Sequence, residues 1–434
     1  MIELVQLLLA YKQPCLTVYT QIILILIYRL IFHPLAKFPG PFLAACKYVR
    51  YGPNSLSINS ATASRGLHDI KSTAYKSPMY VAAKPFFGAE MSLKRINMSV
   101  MTPESIKTLG DRMIQDSIVP KVQAPSNKNW SPGHDMASWM SYLTADIILD
   151  LTHIVHNFPN GVAGMILCGH MLSLFTFNLH KMLFSDLMSK INQQVSLSLA
   201  CASRRMQDKN NGIHRDDFWE ALVSSRDAKT GQSFTLEELT SETFLFIAAG
   251  TDTLNTALAA TLFYLSRNPH ALNRLTHENY EKSPCCPIIF ASSKLQQMSY
   301  LLACIDEALR LCPPVPRIIL DDEFFPPIVI LGIPHYTLHR NVEYFAEPHD
   351  FRPERLGRYS CIGRHMAYQE ISYILARLIW SFDIRVEPNN SAGEGTGLGS
   401  SGRAKKDEYQ NYDHHVSEQH GPVLKFRMRD LDAA

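Results

Sequence analysis

A cysteine at the start of a predicted helix carries the strongest chemical signal in this sequence. Cys361 lies between Gly357 and Gly363, and the helical stripe IGRHMAYQEISYILARLIWSF follows it. Free N–H groups and the positive end of the helix dipole at such a position lower the pKa of a thiol. The glycines let the backbone approach a large flat ligand closely. Cys361 is therefore a candidate metal-binding thiolate, and the alternative is a small buried hydrophobic residue.

A second chemical signal lies within the stretch AAGTDT. Asp252 and Thr253 follow Ala249 and Gly250 inside an apolar segment, and burying an acid and a hydroxyl is costly unless they have partners or a function. The small residues leave room for a ligand beside them. The alternative is a helix-packing contact among small residues.

A third signal is the spacing of charged residues after a second predicted helix. Glu307 and Arg310 form an ExxR ion pair at i, i+3, which alone is nearly uninformative. The motif gains weight because Pro313-Pro314 follows it, then Arg317, and then the stretch FRPER with Arg355. A second arginine can complete a buried Glu-Arg-Arg network.

Three helices must position these residues. Thr235 and Glu238 form a capping box that starts the longest one, which ends at Asn268-Pro269. The ExxR helix ends before the double proline, and the third helix follows Cys361. Short strands are predicted near residues 57 and 330, so the fold class is mainly α with small β-sheets.

The composition limits the class of protein. The 434 residues are 46% hydrophobic and 19% charged, which indicates a globular chain rather than a disordered one. The net charge, 42 − 40 = +2, argues against a nucleic-acid-binding surface over the whole chain. The nine cysteines contain no CxxC pair, which indicates reduced thiols and a cytosol-facing body.

Both ends of the chain carry distinct segments. Residues 1–33 contain the uncharged run QPCLTVYTQIILILIY and predict an N-terminal membrane anchor, with a signal peptide or a buried helix as alternatives. The prolines of HPLAKFPGP then favour a stiff connector. Residues 389–420 are rich in Gly, Ser and charge, and they predict a surface loop or a flexible, disordered insert. The GxGxxG match at 397–402 within them is a coincidence.

In this order along the chain, the three signals resemble the cytochrome P-450 family of haem-thiolate monooxygenases. AAGTDT is similar to the oxygen-binding segment of the family's long central helix, EALR to its ExxR motif and FRPER to its following arginine segment. CIGRHMAYQE is similar to the start of the helix behind the cysteine ligand, and HPLAKFPGP to fungal microsomal members. The resemblance implies a cytochrome P-450 fold, with a single haem domain over residues 34–434.

The resemblance implies how the cofactor is held. Cys361 is then the axial thiolate on the iron of haem b, and its electron donation favours O–O cleavage. Gly357 and Gly363 match the family's cofactor-binding loop, and Arg317 is a candidate partner for a haem propionate. Electrons are expected from NADPH through a separate reductase.

The resemblance also implies roles on the two other helices. Asp252 and Thr253 are expected to hold water and relay protons as the catalytic pair, while Ala249 and Gly250 leave room for oxygen. The residues with an expected structural role, fixing the core on the haem side, are Glu307, Arg310 and Arg355.

The expected partners and location follow from the same resemblance. They are NADPH-cytochrome P-450 reductase, the endoplasmic reticulum membrane with a cytosolic catalytic domain, and a small apolar substrate, with no nucleic acid. Fungal relatives often oxidise polyketide or terpenoid intermediates of secondary metabolism, which gives the expected substrate class.

One segment departs from the family pattern. Only six steps separate Arg355 from Cys361, where the family places a long meander. An extended chain of that length spans at most about 20 Å, so both residues can still reach their positions. The alternative hypothesis is a catalytically silent protein, or a chain from an incorrectly defined gene, with impaired haem binding. A third possibility keeps the haem but catalyses an isomerisation or a peroxide-dependent reaction.

Overall fold

In a computed structural model of the chain, the described residues form mainly helices with small β-sheets, as the sequence predicts. These residues are 24, 27, 48–52, 55–60, 75–76, 130–151, 185–213, 219, 222–223, 232–282, 295, 297–315, 317–321, 330–355, 364–397, 405–412 and 418–429. The chain divides into two compact units, residues 1–77 with 317–338 and residues 78–316 with 339–434.

The first unit contains a five-stranded sheet. Its strands, numbered in chain order over the whole protein, are β1 (Tyr48–Gly52), β2 (Ser55–Ile58), β3 (Tyr75–Lys76), β5 (Arg317–Asp321) and β6 (Ile330–Pro334), in the order β1-β2-β6-β5-β3. A short helix, which we call α6 (His335–Leu338), follows β6. Leu56 and Ile58 alternate with less buried neighbours along β2, as expected for a strand with one buried face. The strands predicted near residues 57 and 330 are therefore confirmed.

The second unit contains the other helices and two small sheets. The helices are α1 (Met136–Leu151), α2 (Ser185–Asn210), α3 (Leu236–Arg267), α4 (Pro269–Lys282), α5 (Ser299–Leu311) and α7 (Arg364–Ser381). The strands β4 (His134–Asp135), β10 (Val423–Met428) and β7 (Phe382–Val386) form one sheet in that order, and β8 (Asn411–Tyr412) pairs with β9 (Glu418–Gln419).

Helix α3 has the bounds that its sequence signals predict. The Thr235 hydroxyl accepts a hydrogen bond from the backbone N–H of Glu238, and the Glu238 carboxylate accepts one from the N–H of Thr235. This reciprocal capping box satisfies N–H groups that have no partner within the helix. At the other end Asn268 is the C-cap and Pro269 begins α4. The helix has 32 residues, and at 1.5 Å per residue it is about 48 Å long.

Helices α5 and α7 pack in the apolar core around α3. The core joins Leu258 and Leu262 of α3 to Leu301 of α5 and to Ile374 and Leu378 of α7. The α5 helix begins where the carboxylate of Glu278, on α4, accepts hydrogen bonds from the N–H groups of Tyr300 and Leu301. It ends at Leu311, immediately before the double proline, as predicted.

Part of the segment 389–420 is built into the second unit, unlike the flexible insert that its composition predicts. Glu408 and Tyr409 are buried, and the Tyr409 hydroxyl donates to the Gly421 carbonyl over 2.5 Å. The backbone N–H of Tyr409 also lies 3.4 Å from the hydroxyl of Tyr264 on α3. Composition predicts poor order there because it does not reveal these long-range contacts. Residues 398–404 and 413–417 lie outside the described residues.

The predicted anchor lies outside the described residues, except for Leu24 and Ile27. Within the part of the chain that the structure describes, no helix has both the length and the apolar character that a bilayer crossing requires. The anchor therefore stays a prediction from sequence.

Candidate functional site

The middle of α3 contains an open face next to a fully buried stretch of the helix. Every residue from 254 to 265 is buried, whereas Ala249 is exposed and Gly250, Asp252 and Thr253 are half-buried. Thr253 follows Ala249 by four residues, so their side chains lie on the same side of the helix. Small side chains at 249 and 250 leave space beside the acid and the hydroxyl. A ligand can therefore approach the helix at this point.

Thr253 is held by its own helix. Its hydroxyl donates to the carbonyl of Ala249 over 2.6 Å. Since a hydroxyl has one hydrogen and two lone pairs, the oxygen of Thr253 remains able to accept a hydrogen bond from water or substrate. This hydrogen bond fixes the Thr253 side chain in one rotamer, with its hydroxyl directed toward the carbonyl of Ala249.

Asp252 is a carboxyl group with an unusual proton affinity. Burial raises its pKa to about 6, because a carboxylate is less well solvated there than in water. The carboxyl group therefore exchanges its proton close to neutral pH, which suits a proton donor and acceptor. A negatively charged neighbour is not needed to explain the shift.

The ExxR pair on α5 is a buried two-pronged ion pair. Arg310 Nε lies 2.8 Å from Glu307 Oε2, and Arg310 Nη2 lies 2.9 Å from Glu307 Oε1. Both side chains are buried. Arg310 also donates from Nη1 to the carbonyls of His339 and Pro348, over 2.7 Å in each case. The helix therefore fixes a chain segment about 30 to 40 residues further on.

Arg355 completes the predicted network from the far end of that segment. Its Nη1 lies 3.4 Å from Glu307 Oε1, and its Nη2 donates to the carbonyl of Glu347 over 2.7 Å. The backbone N–H of Arg352 donates to the same Glu307 oxygen over 2.9 Å. The Glu-Arg-Arg arrangement expected from EALR and FRPER is thus present in the structure.

A second buried ion pair adjoins this network, and sequence reasoning missed it. The guanidinium of Arg340 contacts the carboxylate of Glu408 at 2.5 Å, with both side chains at most 5% exposed. Arg340 also donates to the carbonyl of Leu311 at the end of α5. No local signal could reveal the pair, because its members are 68 residues apart and Glu408 lies in the segment predicted to be flexible.

Sequence reasoning also missed two polar residues near the helices of the site. The carboxylate of Glu370, on α7, is fully buried and neither of its oxygens has a hydrogen-bond partner among the described residues. Burial raises its pKa to about 8. Gln419, on β9, reaches the hydroxyl of Thr256 on α3 over 3.2 Å. An acid in an apolar helical stripe was a usable signal for Glu370, whereas Gln419 had none.

Four predicted cofactor-binding residues cannot be placed by their side chains. Cys361, Gly357 and Gly363 lie outside the described residues, and Arg317 is described only as the first backbone position of β5. Helix α7 begins at Arg364, three residues after Cys361. The role of Cys361 as a thiolate at a helix N-terminus therefore stays a prediction from the sequence. The described cysteines Cys201, Cys304 and Cys312 are free and buried.

Comparison with known proteins identifies the family. The family model described as cytochrome P-450 matches residues 146–356. A cytochrome P-450 monooxygenase of Gibberella zeae is 30% identical over 386 residues, an alignment that covers 78% of this chain and 89% of the relative. The monooxygenase apf7 of Gibberella fujikuroi is 27% identical and is covered to 97%, with 95% of this chain matched. The chain belongs to the cytochrome P-450 family, and it is an oxidoreductase that incorporates oxygen.

A solved structure supports the fold. A crystal structure of a cytochrome P-450 superposes with a TM-score of 0.66 over 86% of this chain and 89% of that chain, at 17% identity. At this identity the match shows the fold alone. Membership of the family implies a haem-thiolate iron cofactor, electrons from a redox partner and a small-molecule substrate.

The described residues fit a haem. A flat macrocycle needs a small-residue face on one side, and the exposed Ala249 beside Gly250 offers one. The half-buried Asp252 and Thr253 place polar groups at the same face. The thiol of Cys361, three residues before α7 in the sequence, has the donor chemistry for iron.

Proposed function

We propose that this chain is a membrane-anchored haem-thiolate monooxygenase that inserts one atom of O₂ into an apolar small molecule. The observation that carries the proposal is the open face of α3, where Asp252 and Thr253 lie beside Ala249 and next to the buried stretch 254–265. Two electrons and two protons convert the substrate and O₂ to the hydroxylated product and water. Cys361 would hold the haem through its thiolate, and the haem would supply the oxygen chemistry.

Residues of the chain transfer protons to the site and bind the cofactor. Asp252, whose pKa is about 6, accepts protons from water and passes them on near neutral pH. Thr253 accepts a hydrogen bond through its hydroxyl oxygen and so orients the water molecule that donates the proton. We assign Gly357, Gly363 and Arg317 to cofactor binding, with Arg317 pairing with a propionate.

The network on α5 has a structural role in the proposal. Glu307, Arg310 and Arg355 hold the segment 339–355 that leads toward the cysteine. Arg355 and Cys361 are only six residues apart in the sequence. A fixed position for Arg355 therefore limits where Cys361 can lie.

The proposed substrate class, electron donor and cellular location are supported by the relatives and by the sequence. The matched proteins are fungal monooxygenases, which supports an apolar secondary metabolite, a polyketide or terpenoid, as the substrate class. NADPH-cytochrome P-450 reductase is the proposed electron source. Residues 1–33 are the proposed endoplasmic reticulum anchor, with residues 34–434 as the haem domain in the cytosol.

The proposal is tested with ¹⁸O₂. The full chain is co-expressed in yeast with a fungal reductase, and microsomes are supplied with NADPH and a panel of apolar polyketides and terpenoids. We expect one ¹⁸O atom per product molecule, and no product from the variant Cys361→Ala. Product that carries ¹⁸O equally with the Cys361→Ala variant, or product without ¹⁸O, contradicts the proposal.

A further inference from the structure

We propose that Gln419 is a positioning residue for the proton-relay pair Asp252 and Thr253. It lies on β9, which is 163 residues further along the chain than the residue it contacts on α3. The inference rests on the proposed function for its catalytic consequence, but its structural part stands without it.

The contact is a buried hydrogen bond between two side chains. The hydroxyl of Thr256 donates to Gln419 Oε1 over 3.2 Å, and Thr256 is completely buried. Gln419 is only 8% exposed. A buried amide without a partner costs free energy, so this bond fixes both side chains.

The same hydroxyl reaches the relay segment. Thr256 Oγ1 also lies 2.9 Å from the backbone carbonyl of Asp252. One hydroxyl hydrogen cannot serve both acceptors fully, so Gln419 Oε1 and the Asp252 carbonyl share it. If the amide is rotated by 180°, its NH₂ donates to Thr256 while Thr256 donates to Asp252. In either orientation, Gln419 sets how strongly Thr256 holds the carbonyl of Asp252.

The strand that carries Gln419 is well anchored. In the β8–β9 pair, Gln419 lies opposite Asn411. The Asn411 amide donates to Cys312 Sγ, at the end of α5, over 2.8 Å. The two-stranded sheet is thus attached to α5 through one strand and to α3 through the other. A threonine bonded to the carbonyl four residues earlier affects the local bend of a helix. A fixed partner at Thr256 therefore holds the turn that carries Asp252 and Thr253.

Thr261 provides a matched control on the same helix. Its hydroxyl donates to the carbonyl of Ala257 over 2.7 Å, and it is also completely buried. Among the described residues, no partner from another element is found for that hydroxyl. Thr261→Val therefore removes a threonine back-bond of the same kind without touching Gln419.

The structural test is amide hydrogen exchange on the purified full chain. Gln419→Met keeps the length of the side chain but removes the hydrogen bond. We expect about 3-fold to 10-fold faster exchange at residues 252–257. In a Thr256→Val background the same substitution gives no further increase, whereas in a Thr261→Val background the full increase remains. Equal increases in both backgrounds overturn the proposal.

The functional test measures how NADPH electrons are divided between product and hydrogen peroxide. We expect Gln419→Met to lower the product fraction about 3-fold or more with KM unchanged. The variant Gln419→Glu keeps an oxygen at the same position, and we expect it to retain most of the product fraction of the unsubstituted protein. A raised KM with an unchanged product fraction contradicts the positioning role. If instead haem binding or ¹⁸O insertion fails in the unsubstituted chain while the exchange result holds, the proposed function is wrong and the Gln419 contact is not.

Discussion

The guanidinium of Arg310 donates two hydrogen bonds to the carboxylate of Glu307, from Nε to Oε2 over 2.8 Å and from Nη2 to Oε1 over 2.9 Å. The remaining nitrogen of Arg310 is committed to the carbonyls of His339 and Pro348. Removing the carboxylate would leave a buried cation with only neutral partners. Loss of this ion pair would therefore weaken the contacts that hold the segment 339–355.

Glu307→Gln should strongly destabilise the fold. Breaking one partner of a buried ion pair costs about 3–5 kcal/mol, because the other charge stays buried. Urea unfolding followed by circular dichroism measures the loss.

The matched control for that change is Glu354→Gln. Glu354 pairs with Arg274, but both side chains are more than half exposed. Such pairs contribute about 0–1 kcal/mol. Equal losses for the two variants would show that the Glu307 network is not a fixed buried element.

Asp252→Asn should lower activity and raise stability. The carboxyl group has a pKa of about 6 in the fold, above its ordinary value of 3.8. The folded state therefore binds this proton more tightly, and its contribution to stability is lost as pH rises from about 4 to about 6. Above pH 7 the asparagine variant should be more stable by at most roughly 3 kcal/mol.

The activity of the Asp252 variant provides the second readout. With the titrating group gone, the change in turnover near pH 6 should disappear from the pH profile. Thermal unfolding and turnover are measured from pH 5 to pH 8, in steps of about one pH unit, and they test both effects. An unaltered pH profile together with unchanged stability would remove Asp252 from the relay.

Thr253→Val should divert electrons from product to hydrogen peroxide. The variant keeps the shape of the side chain but removes the hydroxyl that bonds to Ala249. Loss of a positioned proton-transfer group typically costs about 100-fold or more in rate. Thr261→Val, which removes an equivalent hydroxyl further along α3, should retain product formation. Undiminished product from Thr253→Val would exclude the proton-relay role.

Glu370→Gln should flatten the dependence of stability on pH between 6 and 8. The fully buried Glu370 has a pKa of about 8, above its ordinary value of 4.5. Because the folded state holds the proton, stability falls as pH rises toward 8, by at most roughly 1.4 kcal/mol per pH unit. The asparagine variant of Asp252 should keep this slope, since Asp252 titrates below it. Identical slopes for wild type and Glu370→Gln would mean that Glu370 is not buried as a neutral acid.

Local signals predicted the helices and one of the buried networks. The capping box at Thr235, the prolines after α3 and α5, and the ExxR spacing all act over a few residues, and the structure has each of them. The contacts of Glu408 and Gln419 could not be predicted, because they join residues tens to hundreds of positions apart. The composition of 389–420 indicates a surface loop or a flexible insert, and it does not reveal the burial of Glu408. Burial by the rest of the fold, which a single sequence does not display, decides those contacts.

The central claim is that Cys361 ligates a haem iron in this chain. The most direct test is the difference spectrum of the reduced, haem-reconstituted protein with and without carbon monoxide. We predict the red-shifted Soret band that is typical of thiolate ligation. The band should persist in Cys312→Ser, whose thiol is buried against Asn411, and should be lost in Cys361→Ser. No haem uptake, or a band typical of a nitrogen ligand, would contradict the claim and favour the catalytically silent protein.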